Sequence, residues 1–206
     1  MTMNLVDRVR AVADLWLRRA LTPLVQLCTA LRITPNQVTV AGFLLTAVSA
    51  AVLMAGYPVA AGVVFLLASS LDLVDGLLAR LNAQATAFGA FLDSTLDRVS
   101  EGAVFMAIAY RFAQQGDAWA VAGVVLALLG GVLTSYTRAR AEALGVSCKV
   151  GWITRPERVI VIAAGLLFDV LALAVYLLAA LTLWTSAQRV LHVYKSFSIQ
   201  ETGGRV

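Results

Sequence analysis

The chain has 206 residues, of which 60% are hydrophobic and only 14% charged, with a formal net charge of +4. So apolar a composition lies outside the range of water-soluble domains and indicates a polytopic membrane protein, and the length leaves room for one membrane domain and little else. The basic excess points to anionic lipid headgroups and a phosphate-bearing substrate rather than to nucleic acid.

Residues 1–32 read as an N-terminal juxtamembrane amphipathic segment. Leu5, Val9, Val12, Trp16 and Ala20 recur at helical spacing over 4–20. The intervening charges are too many for a span, so this helix is expected to lie in the membrane interface. The same charges interrupt any apolar core that a cleavable signal peptide would need. Pro23 bends the chain before a second short segment, Leu24 to Leu31. The two cysteines, Cys28 and Cys148, have no metal-ligand spacing and read as free thiols.

Residues 33–195 read as an all-α domain of six transmembrane helices. Thr34 is a good N-cap and Pro35 suits a first helical turn, so the first span opens there and runs to about Gly56. Tyr57-Pro58 makes a turn, and the second span covers Val59 to Leu81. The polar stretch Asn82 to Thr86 breaks the pattern, and the third span runs from Ala87 to Gln114. After Gln115-Gly116-Asp117 the fourth span covers Ala118 to Leu144. A basic loop leads to a fifth span, Val159 to Phe168, extended by the helical turn before it. Asp169 marks a tight connection, and the sixth span runs from Leu171 to about Tyr194. Residues 196–206 are expected to form a flexible tail.

Six spans put both termini on one side. Nearly all the basic residues, including Arg80, Arg138, Arg155 and Arg158, fall at that face, and little more than Arg111 falls opposite. The positive-inside rule then sets the termini and the acidic residues at the cytosolic face of the inner membrane.

Those acidic residues are the feature that composition does not explain. Asp72 and Asp75 are three apart and Asp93 and Asp97 four apart, so each pair shares a helix face. Asp75 lies seven residues before Asn82, and Asp93 seven after Thr86. An antiparallel pair of helices therefore brings both carboxylate pairs to similar depth, roughly 10–15 Å from the turn. A charge at a bilayer centre costs about 2.5–3.5 kcal/mol. Four converging anions need a compensating charge, and divalent cations held by oxygen ligands supply it. Gly76, Ala79 and Gly89 lie around the acidic face and allow close approach.

The full spacing, Asp72-x2-Asp75-Gly76-x2-Ala79-Arg80-x8-Gly89-x3-Asp93-x3-Asp97, resembles the signature of the CDP-alcohol phosphotransferases, integral-membrane enzymes of phospholipid synthesis. The resemblance implies a reaction in which an alcohol displaces CMP from CDP-diacylglycerol. It implies two ions, Mg²⁺ or Mn²⁺, on Asp72, Asp75, Asp93 and Asp97, with Asp97 also the general base that takes the alcohol proton. It places Pro35, Asn36, Thr39, Gly76, Ala79, Arg80 and Gly89 around the nucleotide of the CDP-lipid, and it implies a homodimer. Plain helix capping explains Pro35, Asn36 and Thr39 nearly as well. Glu101, one turn after Asp97, is expected either near the ions or paired with an arginine such as Arg98 or one from a neighbouring helix.

Arg138, Arg155 and Arg189 are three cations in or beside spans, and Arg189 lies inside the sixth. Either it snorkels to the interface or it joins a site for a dianion. The runs around Arg138, Arg155 and Arg189 resemble the inositol-phosphate branch of the same family, the phosphatidylinositol-phosphate synthases and their archaeal relatives. That implies inositol 1-phosphate as the acceptor, although Arg138 stands where many members carry lysine. Glycerol 3-phosphate, the acceptor of phosphatidylglycerophosphate synthase, is the alternative within the family. An ion-coupled transporter is the alternative outside it.

Overall fold

The computed structural model describes residues 21–203, and the side chains of those up to Ser198. The interfacial helix expected over 4–20 lies outside them. Among the described residues the chain is all helical. Its helices are α1 (Leu21–Ala30), α2 (Pro35–Met54), α3 (Pro58–Leu81), α4 (Ala87–Gln114), α5 (Ala118–Ala143), α6 (Arg155–Leu167) and α7 (Leu171–Gly203).

Four of these, α2, α3, α5 and α7, are long and apolar enough to cross a membrane. The protein is a multi-pass membrane protein. The other two expected spans do not meet that standard, for different physical reasons. The 28-residue α4 carries Asp93, Asp97 and Arg98 in its first half and Glu101 just past its middle. The 13-residue α6 is about 20 Å long, short of the ~30 Å hydrocarbon core. The last helix continues to Gly203, past the end expected near Tyr194.

The helices divide into two compact units. Among the described residues, the first comprises those up to Leu45 together with Leu67–Asp97, and the second comprises Thr46–Leu66 and those from Arg98 onward.

In the first unit, Val25 and Cys28 of α1 pack with Val38 of α2 and Val74, Leu77 and Leu78 of α3. The α1 helix stops at Arg32, which takes the left-handed conformation (φ 56°), while the Ile33 N–H donates back to the Cys28 carbonyl at 2.9 Å. Thr34 then opens α2 with reciprocal capping. Its N–H donates to Gln37 Oε1 at 2.8 Å, and its Oγ1 accepts from the Gln37 N–H at 3.4 Å. The α3–α4 turn falls on the expected polar stretch. Ala83 is left-handed (φ 52°), and Thr86 caps α4 by accepting from the Gly89 N–H at 3.0 Å. Asn82 donates to Thr29 Oγ1 at 3.0 Å, which ties this turn to α1.

The second unit holds the larger apolar core, built on Phe65, Phe105, Ile108, Val124, Leu166, Val175 and Leu178. Here α5 and α7 approach closely at small residues. A Cβ on Gly123 would lie 2.8 Å from the Tyr176 ring, and one on Gly130 would overlap the Thr182 side chain. Asp117 caps α5 by accepting from the Ala120 N–H at 2.9 Å. Asp169 is left-handed (φ 56°), and there the chain reverses from α6 into α7.

Candidate active site

The α3–α4 hairpin, with the start of α2, encloses a cavity of about 240 Å³ in the first unit. Asp75 and Asp93 both line it, one from each arm of the hairpin, as their equal spacing from the turn requires. Pro35, Asn36, Thr39, Gly76, Ala79, Arg80 and Gly89 line the same space. Seven residues from three helices thus surround one small volume. Local capping accounts for Thr34 and Gln37 but gives no reason for that convergence. Asp72 and Asp97 do not line this cavity.

Asp75 is buried, at 5% exposure, and receives a hydrogen bond from Thr39 Oγ1 to Oδ2 at 2.6 Å. Thr39 Oγ1 also lies 3.1 Å from the Pro35 carbonyl, one turn back. Asp93 and Asp72 are the like charges near enough to act on Asp75. Asp72 is half-buried and sits against Gly42 of α2, where a Cβ would come within 3.0 Å of its Oδ1. Gly42 is three residues beyond Thr39 and shares its helix face. Arg80 turns back along its own helix, Nε donating to the Gly76 carbonyl at 2.9 Å. Gly89 approaches α2 as closely as its small size permits, since a Cβ there would lie 3.0 Å from Asn36 Oδ1.

The donor chemistry at this end of the hairpin, hard carboxylate oxygens in a mostly apolar surrounding, suits a hard divalent cation. Among the described residues, no three His, Cys, Asp or Glu side chains are drawn together closely enough to hold an ion as they stand.

The three arginines belong to the second unit and differ in setting. Arg138 is exposed and pairs along α5 with Glu142, Nε to Oε1 at 2.9 Å. Arg155 begins α6 and is half-buried. Arg189 is buried, at 4% exposure. Its Nε donates to the Val150 carbonyl at 3.0 Å, and its Nη1 donates to the Thr134 carbonyl. It has not snorkelled: two of its five N–H donors go to backbone carbonyls, one in α5 and one in the loop before α6. Arg138 and Arg158 are the cations near enough to act on it.

Sequence reasoning left Glu101 open between two settings, and the structure pairs it with an arginine from a neighbouring helix, Arg158. Arg158 Nη1 also lies 3.4 Å from Thr134 Oγ1, so Thr134 meets Arg158 through its side chain and Arg189 through its carbonyl. Neither Thr134 nor Gly42 stood out in the sequence. Gln84, Ala85, Thr86 and Ala90, which complete the lining of the first cavity, were also missed. Of these only Thr86 carried a local signal, a threonine three residues before a helical glycine.

Residues 32–193 match the family model described as CDP-alcohol phosphatidyltransferase. The chain belongs to that family. Within the family, it is 36% identical over 167 residues to the archaetidylinositol phosphate synthase of Pyrococcus horikoshii, covering 81% of this chain and 86% of that one. It is 35% identical over 183 residues to the phosphatidylinositol phosphate synthase of Corynebacterium glutamicum, covering 84% of each. The crystal structure of the Mycobacterium tuberculosis phosphatidylinositol phosphate synthase with CDP-DAG bound superposes with a TM-score of 0.80. It has 32% identity and covers 85% of this chain and 94% of the other. A second crystal structure of that enzyme, in complex with manganese and citrate, gives a TM-score of 0.79 over 84% and 88% of the two chains. The family's fold and this chain's fold are the same, and the chain is a phosphatidyltransferase.

Proposed function

We propose that the protein transfers the phosphatidyl group of CDP-diacylglycerol to inositol 1-phosphate, giving phosphatidylinositol phosphate and CMP. The observation that carries this is the single cavity in which Asp75 and Asp93 meet the seven residues expected around the nucleotide. The relatives named for inositol phosphate products, and the neighbouring structure with CDP-DAG bound, support the choice of donor and acceptor.

In this reading Pro35, Asn36, Thr39, Gly76, Ala79, Arg80 and Gly89 hold the nucleotide end of the CDP-lipid. Asp72, Asp75, Asp93 and Asp97 hold two divalent ions, Mg²⁺ or Mn²⁺; the neighbouring structure containing manganese supports a metal of this class. When bound, such ions neutralise the pyrophosphate and stabilise the departing CMP. Asp97 accepts the proton of the attacking hydroxyl. A carboxylate is a weak base for an alcohol, so positioning supplies much of the acceleration.

Arg138, Arg155 and Arg189 form the acceptor's phosphate site. The buried Arg189 anchors it, held in orientation by two backbone carbonyls. The active site and both termini face the cytosol, where soluble inositol 1-phosphate is available. The protein spans the membrane six times, with α4 and α6 completing the set, and works as a homodimer.

The test is CMP release by purified protein given CDP-diacylglycerol and Mg²⁺ with inositol 1-phosphate, glycerol 3-phosphate, free inositol or serine. Turnover with inositol 1-phosphate above the others supports the proposal. Turnover with an uncharged alcohol alone defeats the assignment of the three arginines. Metal-dependent ion flux in proteoliposomes without CMP release would make it a transporter instead.

A further inference from the structure

A second cavity, of about 550 Å³, lies in the second unit between the loop before α6 and the C-terminal half of α7. None of the residues assigned above to donor or acceptor lines it. Its side chains include Lys149 and Trp152 from the loop, and Gln188, Leu191, His192 and Lys195 from α7. No carboxylate lines it.

The loop is held firmly enough to make this a built feature. Cys148 is fully buried and Val146 nearly so; both pack with Ala141 of α5 and with Val193 and Phe197 of α7. His192 Nε2 donates to the Ser147 carbonyl at 3.1 Å. With its amide oxygen turned to the indoles, Gln188 accepts from Trp152 Nε1 at 3.3 Å and Trp184 Nε1 at 3.0 Å. The two rings stand edge to face with centroids 6.5 Å apart. This orientation leaves the Gln188 amide N–H₂ as a donor in a cavity that Lys149 and Lys195 also line.

The outer side of the same region is apolar and uncovered. Trp152, Trp184 and Leu191 are 68%, 55% and 57% exposed, on or beside a helix long and apolar enough to span. Indoles with satisfied N–H groups next to lysines are what a membrane interface selects. A cationic recess that opens onto such a flank matches a molecule with a phosphate at one end and hydrocarbon at the other.

We propose that this cavity binds the phosphate of an anionic phospholipid headgroup, through Lys149, Lys195 and the Gln188 amide, with acyl chain laid over Trp184 and Leu191. A soluble phosphate would use the same cations but leave the apolar flank unused.

The experiment is native mass spectrometry of the full chain, released from nanodiscs containing phosphatidylcholine and a minor fraction of phosphatidylglycerol. The wild type is expected to retain phosphatidylglycerol preferentially, with millimolar inorganic phosphate failing to displace it. Lys149→Gln/Lys195→Gln is expected to lose that retention by about tenfold or more, and Lys149→Arg/Lys195→Arg to keep it. CMP release by the glutamine variant should show an unchanged KM for the soluble acceptor. Equal retention of both lipids by the wild type, or undiminished phosphatidylglycerol on the glutamine variant, would overturn the proposal. So would displacement by inorganic phosphate, or a raised acceptor KM without lipid loss, either of which would assign the cavity to a soluble phosphate.

Discussion

Arg158 of α6 grips Glu101 of α4 with both arms of its guanidinium, Nε to Oε1 at 2.7 Å and Nη2 to Oε2 at 3.0 Å. The side chains are 5% and 13% exposed, so the pair is almost entirely out of solvent. Gly131 of α5 makes room for it, since a Cβ there would lie 2.8 Å from Glu101 Oε1. Removing one partner strands a buried charge, a change that typically costs about 3–5 kcal/mol. Glu101→Leu or Arg158→Met should therefore lower the thermal midpoint of the detergent-purified protein sharply. The double variant Glu101→Leu/Arg158→Met should be less damaged than the sum of its parts. Additive losses in that double-mutant cycle would mean that the two side chains are not coupled.

Thr39→Val keeps the shape of the side chain and deletes its hydrogen bond to Asp75. A hydrogen bond to a charged partner is worth about 1.5–3 kcal/mol. The expected outcome is a fall of roughly 10- to 100-fold in kcat/KM for CDP-diacylglycerol, with helix content by circular dichroism unchanged. Wild-type kinetics would remove Thr39 from the site.

Gly42→Ala places a methyl group against the Asp72 carboxylate, at a contact of 3.0 Å. Either Asp72 moves or α2 and α3 part by a few tenths of an ångström. CMP release should drop by about tenfold or more, because small displacements at a preorganised site are costly. A control with no such contact is Gly102→Ala, where a Cβ meets nothing within 4 Å. It should retain turnover.

Arg189→Lys preserves the charge but cannot hold the Val150 and Thr134 carbonyls in the same fork. Steady-state kinetics should show KM for inositol 1-phosphate raised by about tenfold or more, with KM for CDP-diacylglycerol unmoved. Equal shifts in both would assign Arg189 to general stability.

Much of this fold was legible because its signals are local. Thr34-Pro35 marks a helix start by capping chemistry, and the hydrogen bonds with Gln37 are there. The polar stretch from Asn82 to Thr86 breaks an apolar pattern, and the turn falls on it. Asp75 and Asp93 share a cavity because helical periodicity and the hairpin together leave them little choice. What stayed hidden depends on partners far apart in sequence. Glu101 and Arg158 are separated by 57 positions, so nothing near either one announces the other. Gly42 looks like any small residue in a span until Asp72 is packed against it. The short α6 left a weaker signal in the sequence. An apolar run shows that a segment avoids water, and only its length shows whether it can cross a bilayer.

The most direct test of the account is the turnover of Asp93→Asn, with Asp75→Asn beside it, measured as CMP release from CDP-diacylglycerol and inositol 1-phosphate at saturating Mg²⁺. Asparagine preserves size and removes the anion. The account predicts a loss of about a thousandfold or more in kcat for both, with the folded helical protein recovered in normal yield. Turnover within a few-fold of wild type in either variant would contradict it.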